Sequence, residues 1–163
     1  MIEFDGVRMA RDHDADRIYD FLLDLNKENA VFTLSELRAR QAIASCLEPK
    51  AGMGGVIGII DNGNGIEGCV GLRPSQMWYT AEWFLDELWN FVHPDYRKSN
   101  HAKKLIEFAK WSATNLGLPL VMGIVTRKRL EPKVRLYQRQ LSQIGAYFVF
   151  GKGFDDMYQQ KKF

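Results

Sequence analysis

The sequence predicts a single α/β (α+β) domain over residues 1–163, built on a mixed, mostly antiparallel central sheet flanked by helices. Three observations lead there. A chain of 163 residues is close to the length of one compact domain, about 150 residues. Short apolar runs of β character alternate with longer segments whose apolar residues recur at helical spacing. Between two of those runs stands Asn62-Gly63-Asn64-Gly65, the strongest hairpin signal in the chain, so the two runs pair antiparallel.

Each element has its own signal. Ile2 to Met9 reads as a short strand, after which Asp12 and Asp14 offer capping oxygens to a helix carrying Ile18, Phe21, Leu22 and Leu25 on one stripe. A second helix starts at Ser35, carries Leu37, Ile43, Ala44 and Leu47, and closes before Pro49. Gly54 to Ile60 and Ile66 to Leu72 are the hairpin strands, and a long strand follows over Glu82 to Val92. A helix from near Asn100 presents Ala102, Leu105, Ile106, Ala109, Ala113 and Leu116 before Gly117 and Pro119 stop it. Leu120 to Val125 reads as a buried strand, and a helix from about Pro132 aligns Val134, Tyr137, Leu141 and Ile144 up to Gly145. Tyr147 to Phe150 reads as a last strand, with room for another after Gly153.

Composition narrows the function. With a net charge of +2, 46% hydrophobic and 26% charged residues, the chain is neither disordered nor fibrous. Its near-balanced charge disfavours a dedicated nucleic-acid binder. No apolar run approaches a membrane span, and Met1 to Asp14 lacks the basic and apolar halves of a signal peptide. Cys46 and Cys69 form neither a CxxC pair nor a Cys/His cluster, so a reducing, cytoplasmic setting is expected. His13, His93 and His101 show no metal-ligand spacing, and no metal is expected. His93 is either a proton relay or a solvated turn residue.

The informative stretch runs from Phe91 to Leu105. A strand ends, a short polar turn follows, and a helix begins among small and cationic residues: Arg97, Lys98, Ser99, Asn100, His101, Ala102, Lys103 and Lys104. Unpaired amides at a helix start point one way and carry the positive end of the helix dipole, so the turn can cradle a phosphate. Asn100 tolerates a left-handed turn and Ala102 lets the backbone approach closely. A plain strand-to-helix connection with solvated cations has the same spacing.

Val92-x-Pro94-x-x-Arg97-x-x-Asn100-x-Ala102 resembles the signature of the GNAT superfamily of acyl-coenzyme A N-acyltransferases, Val-x-Pro-x-x-Gln/Arg-x-x-Gly-x-Gly/Ala. The element order is similar to that family over nearly the whole chain. The resemblance implies a GNAT-like fold, acetyl-coenzyme A as cofactor, a small-molecule or peptide amine as acceptor, pyrophosphate held at Arg97 to Lys103, and the pantetheine arm beside Phe91 and Val92. Asn100 stands where the family usually has glycine. Leu136-Tyr137 followed by Ile144-Gly145 and Tyr147 is similar to a second landmark, with about three extra residues between tyrosine and glycine. By that resemblance Tyr137 protonates the leaving thiolate; as one member of an apolar stripe, it could equally fill the core. The family's usual asparagine ahead of this helix is missing from Thr126 to Pro132.

An amine nucleophile must lose a proton, and a carboxylate of raised pKa is the natural base. By strict alternation Glu87 shares a strand face with Trp83, Leu85, Trp89 and Phe91, while Glu82 and Asp86 share the other with Phe84, Leu88 and Val92. Apolar company lifts a carboxyl pKa, which makes Glu87 the first candidate; a bulge would swap the faces, which keeps Asp86 as the second. Either is also consistent with an exposed edge carboxylate. Attack is expected to be direct, since neither cysteine lies in a nucleophile arrangement.

Arg127, Lys128, Arg129, Lys133, Arg135 and Arg139 form a basic run, opposed only by Glu131, that suits either an anionic ligand or a solvated face. Trp111, off its helix's apolar stripe, is either a homodimer or partner contact or a core residue under a neighbouring loop. Two functions follow: an N-acyltransferase, or a non-catalytic nucleotide- or nucleic-acid-binding module of the same fold.

Overall fold

A computed structural model describes residues 3–47, 54–151 and 153–154. Its mixed six-strand sheet runs in the order β1 to β6. The chain opens with β1 (Glu3–Phe4) and β2 (Val7–Met9), a hairpin rather than the single strand expected over Ile2 to Met9. Asp5 and Gly6 both have positive φ, 50° and 77°, the backbone of a two-residue turn that twists with its strands.

A 3₁₀ turn over Asp12–Asp14 leads into α1 (Ala15–Asn29). Asp14 caps backward: its buried carboxylate accepts the Arg11 amide at 2.9 Å and a bidentate Arg8 guanidinium at 2.8 and 2.9 Å. Arg8 also reaches Asp61 at 2.7 Å, which ties the helix start to the sheet. Ile18, Phe21, Leu22 and Leu25 are all buried, as their spacing requires. In α2 (Glu36–Leu47) the buried face is Ile43 and Cys46, with Leu47 against them; Leu37 and Ala44, expected on that face, point to solvent. Pro49 lies outside the described residues.

β3 (Val56–Asp61) and β4 (Ile66–Ser75) form the predicted hairpin, with Asn64 N–H donating to Asn62 Oδ1 at 3.0 Å in the turn. The register passes from Ile60↔Gly68 to Asp61↔Ile66, so Glu67 sits on a bulge. β5 (Phe84–Val92) pairs antiparallel with β4. Helix α3 (His101–Leu116) ends at Gly117, whose φ of 67° supplies the left-handed cap. β6 (Leu120–Val121) is much shorter than the predicted Leu120 to Val125 and pairs parallel with β5 only at Leu85 and Asp86. Helix α4 (Leu130–Gln140) starts two residues ahead of Pro132 and stops before Gly145. Tyr147 to Phe150 forms no strand, and its aromatic side chains stand exposed; the strand anticipated after Gly153 falls largely outside the described residues.

Two apolar layers sandwich the sheet. One joins α1 and α2 to Ile57, Ile59, Cys69 and Trp89; the other joins α3, through Leu105, Phe108 and Ala109, to Val70, Leu72 and Leu85. Gly71 exists for a close approach, since a Cβ there would overlap the Trp89 indole ring. Trp111 stacks on Phe4 with ring centroids 5.4 Å apart, which makes it a core residue beneath the β1–β2 hairpin. Among the described residues no helix is long and apolar enough to cross a membrane.

Candidate active site

The site grows from an irregularity in β5. The register with β4 passes from Gly71↔Trp89 to Leu72↔Glu87, leaving Leu88 as an extra, bulged residue. Leu88, Trp89 and Phe91 therefore pack toward α1 and α2, while Leu85 and Val92 pack toward α3. Trp89 and Phe91, assigned to Glu87's face by strict alternation, thus pack on the opposite side of the sheet from Leu85. Glu87 and Asn90 both reach Tyr137 of α4, whose hydroxyl donates to Glu87 Oε2 at 2.7 Å and accepts from Asn90 Nδ2 at 3.0 Å.

The electrostatics follow from burial. Loss of solvent pushes the Glu87 carboxyl up to about 8, against the Tyr137 hydrogen bond that pulls it down; Asp86 adds a small push upward and Lys133 a small pull downward. Burial, then the neighbouring Glu87 charge, raises the Tyr137 phenol far above its ordinary value, with Asn90 opposing. Tyr137 thus holds its proton, while Glu87 changes charge near neutral pH. Asp86 lies elsewhere, opposite Arg73 in the β4 ladder; burial raises its carboxyl and Arg73 draws it back. It shares no hydrogen bond with Tyr137 among the described residues.

Beyond Asp86 the β5 and β6 chains part, and β5 continues to Val92 with that edge unpaired among the described residues. A cleft of about 190 Å³ is lined by Phe91 near the end of β5, by Val125, and by Asn29, Ala30 and Phe32 at and just beyond the end of α1. Phe91 and Val92 stand at the end of β5, and of the two Phe91 lines the cleft.

The turn after β5 keeps its helix-start donors but not the predicted backbone. Asn100 has φ −90° and ψ 10°, so the left-handed conformation expected there is not adopted, and asparagine fits without strain. Ser99 Oγ accepts the His101 amide at 3.1 Å. The Ala102 and Lys103 amides of the first helical turn have no acceptor among the described residues. Lys98 and Lys103 are exposed beside them. Arg97 is already engaged: Glu28 of α1 accepts its guanidinium at 2.8 and 2.7 Å, which holds the Glu28 carboxyl below the usual range. His101 Nε2 lies 2.6 Å from Glu67 Oε2, the bulged residue of β4, and Tyr96 stacks on the imidazole. Lys104 turns away toward Asp5 at 3.8 Å.

The basic run does not act as one strip. Arg127 donates to the Gly153 carbonyl at 2.9 Å, Arg135 lies 3.6 Å from Glu131, and Lys133 turns inward to Asn29 and Thr126. In place of the missing asparagine, Thr126 and Arg127 bond the Asn29 carbonyl, tying the approach to α4 to the end of α1.

Sequence reasoning missed Asn90, Glu28 and Glu67, and named Lys133 only as one member of the basic run. Asn90 had a signal, a polar residue in an apolar strand near Glu87, but without the bulge alternation puts the two on opposite faces. The Glu28–Arg97 pair spans 69 residues and has no local signature.

The acetyltransferase (GNAT) domain family matches residues 54–140. Solved structures of similar fold include an integron cassette protein from the mobile metagenome of Cole Harbour Salt Marsh, at 19% identity and TM-score 0.67, covering 91% of this chain and 90% of that one. A possible acetyltransferase from Clostridium difficile 630 gives 14% identity and TM-score 0.65, covering 90% and 95%. A ribosomal-protein-alanine N-acetyltransferase from Brucella melitensis biovar Abortus 2308 gives 16% identity and TM-score 0.65, covering 89% and 96%. No curated protein sequence matches the chain. With more than half its length, including the turn, the cleft edge and Tyr137, inside the family's match, the chain belongs to the GNAT acetyltransferase family.

Proposed function

We propose that the protein is an acetyl-coenzyme A-dependent N-acetyltransferase that transfers the acyl group to a primary amine by direct attack within a ternary complex. The observation that carries this reading is the hydrogen-bonded Glu87–Tyr137 pair that joins β5 to α4.

The residues present fit the cofactor. The Ala102 and Lys103 amides, which have no acceptor among the described residues, with Lys98, Ser99, Asn100 and His101 around them, would hold its phosphates. Because Glu28 neutralises Arg97, that residue would contribute through its backbone. Phe91 and Val92 would flank the arm. The bound thioester would supply an activated acyl carbon.

The chain's own groups then manage the proton. Glu87, titrating near 8, accepts it from the acceptor amine. Tyr137, whose raised pKa keeps it loaded, delivers its own proton to the departing sulfur and is refilled from Glu87 across their 2.7 Å bond. Asn90 steadies the hydroxyl oxygen during the exchange. Asp86 remains the second candidate for the base, acting through water. Burial pushes the Cys46 thiol up to about 11 and Cys69 up to about 12, which favours direct attack over an acyl-cysteine route.

Thiol release from acetyl-coenzyme A with a panel of amines tests the reading. Turnover should fall about 10²-fold or more in Tyr137→Phe, with cofactor affinity nearly unchanged. Absence of turnover with every amine, together with unaltered ligand binding in Tyr137→Phe, would instead favour a non-catalytic binding module.

A further inference from the structure

Lys133 stands one helical turn before Tyr137, on the same face of α4. Its amine reaches Asn29 Oδ1 at 3.5 Å and Thr126 Oγ1 at 3.4 Å, and lies 6.0 Å from the Phe91 ring centroid. Asn29 and Phe91 both line the cleft. The amine thus borders the space assigned to the acyl carrier, and its two hydrogen-bond partners are neutral. Other lysines differ: Lys27 pairs with Asp24 at 3.3 Å and Lys110 with Glu107 at 3.1 Å.

We propose that Lys133 is a self-acylation site, its amine taking an acyl group from a thioester held in the cleft beside Phe91. The inference rests on the acyl-carrier reading given above. The Lys133 amine attacks the acyl carbon; a C–N bond forms, the C–S bond breaks, and the thiol departs with the proton that the nitrogen gives up. The product is a neutral amide and a free thiol, with no oxidant or further reactant.

The surroundings favour the nucleophilic form. Burial and the Arg97 and Arg129 cations disfavour the ammonium, Glu28 and Glu87 favour it, and the balance lowers the Lys133 pKa. Acylation also removes a charge from a position that has no carboxylate in salt-bridge range among the described residues.

Incubation of the full chain with isotope-labelled acetyl-coenzyme A at about pH 8, followed by peptide mass spectrometry over time, tests the proposal, with Lys110 as internal comparison. Lys133 should label at least about tenfold faster than Lys110, at a rate independent of protein concentration because the reaction is intramolecular. The fast-labelled peptide should disappear in Lys133→Arg. Labelling no faster than Lys110, or a rate rising in proportion to protein concentration, overturns the proposal, and the wild-type comparison needs no variant to fold. Parallel calorimetry separates the two readings: cofactor binding without Lys133 labelling sinks self-acylation alone, and absence of binding sinks both.

Discussion

Replacing Glu87 by Gln separates the stability of the site from its chemistry. The carboxyl ordinarily titrates near 4.5, and burial lifts it to about 8 in the folded chain. At 1.36 kcal/mol per pKa unit, ionising this group in the folded state is penalised by about 5 kcal/mol at most. The side chain keeps partial contact with water, so about 2 kcal/mol is the expected measured effect. The sign follows from which state binds more protons. Below about pH 4.5 both states are protonated and Glu87 costs nothing. As pH rises toward 8 the unfolded chain is ionised while the folded one resists, and the penalty grows until it levels off above 8. Urea unfolding of Glu87→Gln and wild type should therefore agree near pH 4.5 and diverge by about 2 kcal/mol by pH 9, the variant being more stable. Its kcat/KM should fall by about 10²- to 10⁴-fold, with loss of the limb that in the wild type rises through pH 8. A stability difference that is flat across this range, or a pH–rate limb that survives in the variant, refutes the reasoning.

Other perturbations follow from the same geometry. Tyr137→Phe removes the hydrogen bond that pulls the Glu87 pKa down, so the residual activity should show its rising limb displaced to higher pH; an unmoved limb would mean that the two groups are not coupled. Asp14, held down to about 2 chiefly by Arg8, contributes stability that is present above pH 4 and lost as pH falls through 2. Asp14→Asn should cost about 3 kcal/mol at neutral pH, by chemical denaturation, and this deficit should shrink toward zero in strong acid. Gly71→Ala forces a methyl into the Trp89 ring and should cost about 1–3 kcal/mol, lowering Tm by several degrees in calorimetry. Gly65→Ala meets nothing within 4 Å and should leave Tm in place.

Legibility in the sequence followed the range of the interactions. Amphipathic helices and the Asn62–Gly65 hairpin are written in local periodicity and turn chemistry, and α1, α3 and the β3–β4 pair emerged nearly where expected. Local rules also missed local signals: Asp5-Gly6 is a hairpin turn that apolar patterning disguised within one strand. Tyr147 to Phe150 has the composition of a strand, yet composition does not supply a partner edge, and the segment lies outside the sheet. At the site, Glu87 and Tyr137 were legible singly, but the Leu88 bulge that decides which side chains meet them depends on the register against β4. The engagement of Arg97 by Glu28 and of His101 by Glu67 depends on tertiary placement alone.

Calorimetric titration with acetyl-coenzyme A tests the central claim most directly, because the turn after β5 and the cleft beside Phe91 together form the acyl-carrier site proposed above. Saturable one-to-one binding with a Kd between about 1 and 100 µM, weakened more than about tenfold when Ala102→Asp sets a negative charge among the free amides, is the predicted result. No binding heat with cofactor at about 1 mM would contradict it.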